Sequence, residues 1–341
     1  MPGACIAKWR RVTTDSAIPR WLRSPHLQTV IGAAPLYAPP RSHEGVATHE
    51  LRIPLGEGHR LHARAWWQAR TAPAVVLVHG IGGSGDSRCV LRGAVALHRA
   101  GYHVVRLDMR GAGASTPDAP SLYHGGLSAD LDVALAYVAR DPRVSRVVLF
   151  GYSGGGSMSL KLAGEWGERV PPHVAAVVSV SAPLDYTRVA PWMDQLGRLP
   201  YRFHVLSQLV ASARAFARQH RARAHFQARD LDRMRTFRVF DGRVIAPMHG
   251  FADVDTYYEQ ASSGPWLSAI RVPTLLVHAD DDPMVPHESV RPWLSKVSSS
   301  VTVETTRHGG HIGWLAGLDE ESWISGWANR RALAFVAAHA A

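Results

Sequence analysis

The segment at 146–160, RVVLFGYSGGGSMSL, carries the chain's clearest chemistry. An apolar run at 147–150 reads as a buried strand, a glycine-rich turn follows, and then a helix. The turn, Gly151-Tyr152-Ser153-Gly154-Gly155, fits the pattern G-x-S-x-G. A serine hydroxyl becomes a nucleophile only when it is exposed, given a base and aimed at an electrophile. A tight strand-to-helix turn exposes it at the cost of a strained backbone, and glycines at 151 and 155 remove side chains that would clash. The following helix points its positive end at the hydroxyl. Ser153 is therefore the candidate nucleophile.

A serine nucleophile needs a base, and the base needs an orienting carboxylate. On a doubly wound sheet these come in the chain order serine, acid, histidine. Two late strands end in suitable groups. The first leads into Asp280-Asp281-Asp282-Pro283-Met284-Val285-Pro286. Asp282 is the expected acid, because an aspartate before x-apolar-Val-Pro returns such a loop to a helix; Asp280 and Asp281 compete. No spaced partner ligand makes the three a metal site. The second strand leads into His308-Gly309-Gly310-His311. His311 is the expected base, with glycines that let its loop approach the serine, and His308 competes. An oxyanion needs two aligned backbone N–H groups. Gly154 follows the nucleophile and supplies one; Ile81, after the strand end His79-Gly80, is the expected second. His79 reads as an orienting residue. The spacing His103-x4-Asp108 falls within a buried strand and reads as chance, and the glycines at 80–85 lack the G-K-[ST] of a phosphate loop.

Elements that could position these residues alternate along the chain. Alternation on both sides of Gly56-Glu57-Gly58 predicts a hairpin over 48–68. Apolar runs at 74–78 and 174–180 predict buried strands and 102–108 reads as another strand, with helices at 88–99 and 127–140 between them. Residues 185–264 contain no obvious strand and read as an inserted helical cap, with a helix at 203–216. Its apolar residues Trp192, Met193, Leu196, Leu199 and Phe203 are expected to line an acyl pocket. Strands then resume at 273–278 and 301–305, with helices at 290–295 and 322–338. The expected organisation is a core at 1–184 with an irregular proline-containing arm at 1–45, a cap at 185–264, and the rest of the core at 265–341. The fold class is α/β, a mostly parallel sheet wound on both faces.

Composition narrows the function. The chain has 341 residues, a 46% hydrophobic content and a formal charge of +10. Such a charge admits nucleic acid or anionic lipid. Almost all of it is arginine, Lys8, Lys161 and Lys296 being the only lysines. No nucleic-acid-binding motif accompanies it, so none is expected as a partner. Residues 185–240 hold eleven arginines against four aspartates, which makes the cap a candidate for peripheral contact with an anionic membrane. Cys5 and Cys89 form no disulfide framework. The first residues lack the apolar run of a secretory leader, and no stretch approaches a membrane span. A cytoplasmic location is expected.

With these residues in view, the chain resembles the α/β-hydrolase superfamily and, more narrowly, its YheT-like branch. The resemblance rests on His26-Leu27-Gln28-Thr29, His79-Gly80-Ile81-Gly82-Gly83-Ser84, Tyr123-His124-Gly125-Gly126 and Gly151-Tyr152-Ser153. It continues through Val180-Ser181-Ala182-Pro183, His249-Gly250-Phe251-Ala252-Asp253 with Tyr257-Tyr258, Asp281-Asp282-Pro283 and His308-Gly309-Gly310-His311. It implies Ser153 as nucleophile, Asp282 as acid and His311 as base, acting on small-molecule acyl esters with no metal and no organic cofactor. Relatives often carry leucine where this chain has Gly154, and a backbone donor survives that change. The expected function is hydrolysis of short- to medium-chain acyl esters through an acyl-enzyme. Acyl transfer to another acceptor, or a non-catalytic protein of the membrane surface, are the alternatives.

Overall fold

The computed structural model describes residues 8–12, 18–33 and 45–340. Nine strands form one sheet: β1 (Lys8–Arg11), β2 (Thr48–Gly56), β3 (His59–Trp66), β4 (Ala72–Val78), β5 (His103–Asp108), β6 (Val144–Tyr152), β7 (Val174–Val180), β8 (Thr274–Ala279) and β9 (Val301–Thr306). Their order is β1-β9-β8-β7-β6-β4-β5-β3-β2. β3 runs antiparallel to β2 and β5, and all other neighbours are parallel. β7 and β8 are buried along their whole length, as expected of central parallel strands covered on both faces.

The period of two along each strand divides the core. Val75 and Leu77 of β4 face one apolar cluster, which includes residues of the helices Arg88–Arg99 and Trp327–Ala340. Val76 and Val78 face the other, with the helices Ala129–Val138, Gly154–Trp166 and His287–Leu294. Between β7 and β8 the chain leaves the sheet and makes, among others, the helices Tyr186–Met193, Leu199–Gln219 and Val254–Ala261. Its buried residues Leu209, Phe216, Phe240 and Tyr258 join that second cluster, so this helical excursion shares the core of the sheet.

Three expectations change. The chain before residue 45 is not wholly irregular. Lys8–Arg11 extends the sheet edge beside β9, where Arg10 pairs with the buried Glu304 that also binds Arg331. Pro25–Ala33 is a helix. Its fully buried Gln28 donates to the carbonyls of Leu22 (2.9 Å) and Leu315 (3.2 Å) and accepts from Leu315 N (2.8 Å), fastening the arm to the C-terminal part of the chain. The single C-terminal helix is two, Glu320–Ile324 and Trp327–Ala340, broken at Gly326, where Trp327 N donates to Trp314 O (3.1 Å). Cys5 and Pro35, Pro39 and Pro40 lie outside the described residues. No helix among the described residues is long and apolar enough to cross a membrane.

The excursion contains one buried acid with no cation. Asp241 meets the Tyr258 hydroxyl at 2.9 Å. Burial pushes its carboxyl up to about 7, the Tyr258 hydrogen bond opposing and Asp194 adding to the rise. The folded chain therefore keeps this proton between about pH 4 and pH 7, a range in which an unfolded aspartate has lost it, so stability falls as pH rises through that window. Asp241→Asn is expected to flatten this slope in thermal melts between pH 4.5 and 7.5, values set by the same window. Equal slopes in both proteins would contradict the assignment.

Candidate active site

β6 ends at Tyr152, and the helix Gly154–Trp166 begins two residues later. Ser153 bridges them at φ 52° and ψ −122°, outside the ordinary allowed regions for a side-chain-bearing residue. Its surroundings show why glycine recurs. A Cβ on Gly151 would collide with Gly155 O, and one on Gly155 with His79 O. A Cβ on Gly80 would sit 3.1 Å from Ser153 Cβ. The end of β4 and the turn at Ser153 thus approach backbone to backbone.

The Ser153 hydroxyl lies 3.0 Å from His311 Nε2, and His311 Nδ1 lies 2.8 Å from Asp282 Oδ2. The other oxygen of Asp282 accepts from Met284 N (2.8 Å) and Val285 N (2.9 Å). Burial by itself would push this carboxyl up. The adjacent His311 and the backbone donors outweigh that and hold it below its ordinary value. A carboxylate with Nδ1–H as its partner leaves Nε2 free to accept from the serine.

The two competing aspartates have other work. Asp281 accepts from Gly310 N (2.9 Å) and faces His308 Nδ1 (3.2 Å), so both of these residues shape the histidine loop. Asp280 pairs with Arg11 of β1. His79 is fully buried, its Nε2 accepting from Met109 N (3.2 Å) and its Nδ1 against Gly80 O (2.8 Å). Burial lowers its pKa, which keeps the ring neutral in this orienting position. His103 sits within β5, accepting from Gln68 N and donating to Arg143 O at 2.9 Å each.

Gly154 and Ile81 pack against each other. A Cβ on Gly154 would lie 2.5 Å from Ile81 Cγ1 and 3.2 Å from Ile81 N. The Ile81 side chain therefore fills the space that a larger residue at 154 would need. Gly154 N begins its helix and has no acceptor within it. The neighbouring Gly82 N donates to the Tyr123 hydroxyl (2.6 Å), which steadies the turn. Two backbone donors next to a hydroxyl and an imidazole can stabilise an oxyanion as the serine attacks a carbonyl.

The glycines around His311 serve a different purpose from the one expected. A Cβ on Gly309 would enter the Trp314 indole, one on Gly310 would meet Pro25 O at 2.6 Å, and one on Gly313 would meet Gln28 Oε1 at 2.7 Å. They make room for the arm helix and for Trp314 rather than for the serine. The spacing also left the loop's anchors unread. Gly310 N donates to Asp281, His311 N to Thr29 Oγ1 (2.9 Å) and Ile312 N to Ser181 Oγ (3.2 Å). Arg92, buried on the helix Arg88–Arg99, donates to the carbonyls of Ile312 and Gly313. The one sequence signal for Thr29 was its place in the His26-Leu27-Gln28-Thr29 match.

The expected acyl pocket also changes. Met193 is buried and Trp192 donates to Pro283 O (3.0 Å) in the acid loop. Leu196 and Phe203, however, are 79% and 74% exposed, and Leu199 is exposed beside them. These three face away from the interior: Leu199 and Phe203 lie on the outer side of the helix Leu199–Gln219, and Leu196 in the turn before it. The inner side of Leu199–Gln219 meets the turn at Ile81-Gly82, where a Cβ on Gly82 would lie 3.1 Å from Val205 O and 3.3 Å from Gln208 Cβ.

Comparison with known proteins identifies the family and the fold. Residues 73–317 match the family model described as the alpha/beta hydrolase fold. The chain belongs to that family. It is 30% identical over 259 residues to "Putative esterase YheT" of Escherichia coli, covering 75% of each chain. It is 25% identical to human "Phospholipase ABHD3" and 26% identical to a "Monoacylglycerol lipase" of Saccharomyces cerevisiae. These matches cover 75% and 74% of this chain but only 62% and 57% of those proteins. The esterase Pf2001 of Pyrococcus furiosus shares the fold at a TM-score of 0.59 and 13% identity, covering 88% of this chain and 94% of its own.

Thr29 gives this site a direct test. Thr29→Val leaves His311 N–H without its acceptor while keeping the side chain's shape. Turnover of a soluble ester is expected to fall roughly ten- to hundredfold with little change in KM, as expected for a misplaced base. Thr29→Ser is expected to restore the rate. Wild-type turnover in Thr29→Val would mean that the arm does not position His311.

Proposed function

We propose that the protein is a serine esterase that hydrolyses short- to medium-chain acyl esters through an acyl-enzyme. The hydrogen-bonded line Ser153–His311–Asp282, set beside the amides of Ile81 and Gly154, carries this reading. His311 Nε2 takes the hydroxyl proton as Ser153 Oγ attacks the ester carbonyl. The oxyanion forms against the two amides. His311 then gives that proton to the departing alcohol, leaving the acyl group on Ser153. Water, deprotonated by the same nitrogen, releases the acid and restores the serine. Asp282 holds the imidazole in the required tautomer and stabilises its cation; it takes no proton itself.

The relatives' names favour esters as the substrate class, those relatives being named an esterase, a phospholipase and a monoacylglycerol lipase. We read the excursion between β7 and β8 as a cap, since the helix Leu199–Gln219 packs on the oxyanion turn. A roof this close favours a short or medium acyl chain over a long one.

Ser153→Ala is expected to lower kcat by a factor of roughly 10⁴ to 10⁶, and Asp282→Asn by roughly 10⁴, without loss of fold. A panel of p-nitrophenyl esters of increasing chain length reads both the variants and the preferred acyl group. Full hydrolysis by Ser153→Ala would overturn the mechanism. Product analysis with added alcohol separates hydrolysis from transfer: the reading expects free acid to dominate.

A further inference from the structure

We propose that the outward face of the helix Leu199–Gln219, with the turn before it, docks the protein on an anionic phospholipid surface. What the lipid would supply, an acyl ester at the mouth of the site, rests on the serine-esterase reading; the docking itself does not.

Leu199 and Phe203, four residues apart, share one side of the helix, and Leu196 lies in the turn just before it. All three are exposed, and Leu196 and Phe203 are the most exposed large apolar side chains among the described residues. Large apolar groups clustered on a surface mark an interaction site. The same stripe continues through the exposed Ser207 and Ala211 to Arg218, and the exposed Arg221 and Arg223 follow the helix end. These three arginines have no carboxylate partner among the described residues, unlike Arg214 and Arg238, which pair with Asp232 and Asp255. One face is thus apolar at one end and cationic at the other. At 1.5 Å per residue the helix spans about 30 Å, enough to lie flat across a lipid surface. An amphipathic helix with exposed leucine and phenylalanine and arginines beside them matches the boundary between acyl chains and anionic headgroups.

Other partners fit less well. Nucleic acid would use the arginines but gain nothing from Leu196 and Phe203. A second copy would use the apolar end but bring together two chains that each carry +10. The position favours lipid as well. The opposite side of this helix touches the oxyanion turn through Val205 and Gln208, so docking would hold the Ser153 site against the membrane.

The test uses Ser153→Ala protein, which cannot consume lipid, and cosedimentation with vesicles of phosphatidylcholine alone or mixed with phosphatidylglycerol. Binding to the anionic vesicles is expected to exceed binding to neutral ones by at least about tenfold and to weaken with added salt. Leu196→Ser with Phe203→Glu is expected to lower binding to the anionic vesicles at least about tenfold. The triple change Arg218→Glu, Arg221→Glu and Arg223→Glu is expected to abolish the preference for phosphatidylglycerol. Both sets, made with Ser153 present, are expected to keep kcat/KM on a soluble ester within about twofold, since neither touches the reacting groups. The proposal is overturned by vesicle binding that these changes leave intact, or by no binding at all. It is equally overturned by self-association in sedimentation velocity that Phe203→Glu abolishes, or by duplex DNA binding that outcompetes the vesicles. Vesicle binding without ester turnover would sink the esterase reading and leave the docking face standing; turnover without binding would do the reverse.

Discussion

Ser153 is held at φ 52° and ψ −122°, a conformation whose cost, of order 1–3 kcal/mol, must be met by its surroundings. Much of the local sequence follows from that one constraint. β6 delivers the chain to the turn, and its neighbours β4 and β7 fix the level at which it leaves the sheet, with Gly151 opposite Val78 and Ser179. Ser153 N donates to Val180 O (2.8 Å), and Ser157 N to Ser153 O (3.0 Å), so the turn is tied both to β7 and to the helix after it. The glycines at 80, 151 and 155 are the other half of the same requirement: a side chain at 151 or 155 would run into backbone that must pass closely, and one at 80 would press on Ser153 itself. Strain at one residue is held by packing at many.

His311 presents the converse problem. Nothing in its own loop is regular structure, so the loop is shaped by groups borrowed from elsewhere. Asp281, Thr29, Ser181 and Arg92 reach it from the end of β8, the arm helix, the end of β7 and the helix Arg88–Arg99. Residues separated by up to 282 positions thus determine where one imidazole stands. The arrangement explains why the arm, far from Ser153 in sequence, belongs to the site.

The fold was legible because buried parallel strands announce themselves as runs of valine and leucine, and because Gly-x-Ser-x-Gly between strand and helix has few other uses. Ser153, Asp282 and His311 could be singled out by strand ends and chain order alone. Elsewhere the sequence pattern was silent for physical reasons. β1 is four residues of Lys-Trp-Arg-Arg, and its place in the sheet comes from β9 and Glu304 rather than from any alternation of its own. The helix Pro25–Ala33 is short, and the role of Gln28 and Thr29 appears only when the far end of the chain folds against them. The apolar character of Leu196, Leu199 and Phe203 suggested a pocket lining, but residue type does not say which way a side chain on a covering segment faces. The glycines beside His311 looked like room for the serine and turned out to be room for the arm.

The proposed esterase cycle stands or falls on whether Ser153 becomes acylated during turnover. The most direct measurement mixes the wild-type protein with an activated short-chain ester, quenches in acid within the first turnovers, and maps the adduct by peptide mass spectrometry. One acyl group is expected, bound to Ser153 and lost when the ester is exhausted. Undiminished hydrolysis with Ser153 unmodified at every quench time, or a turnover-competent adduct on another residue, would contradict it.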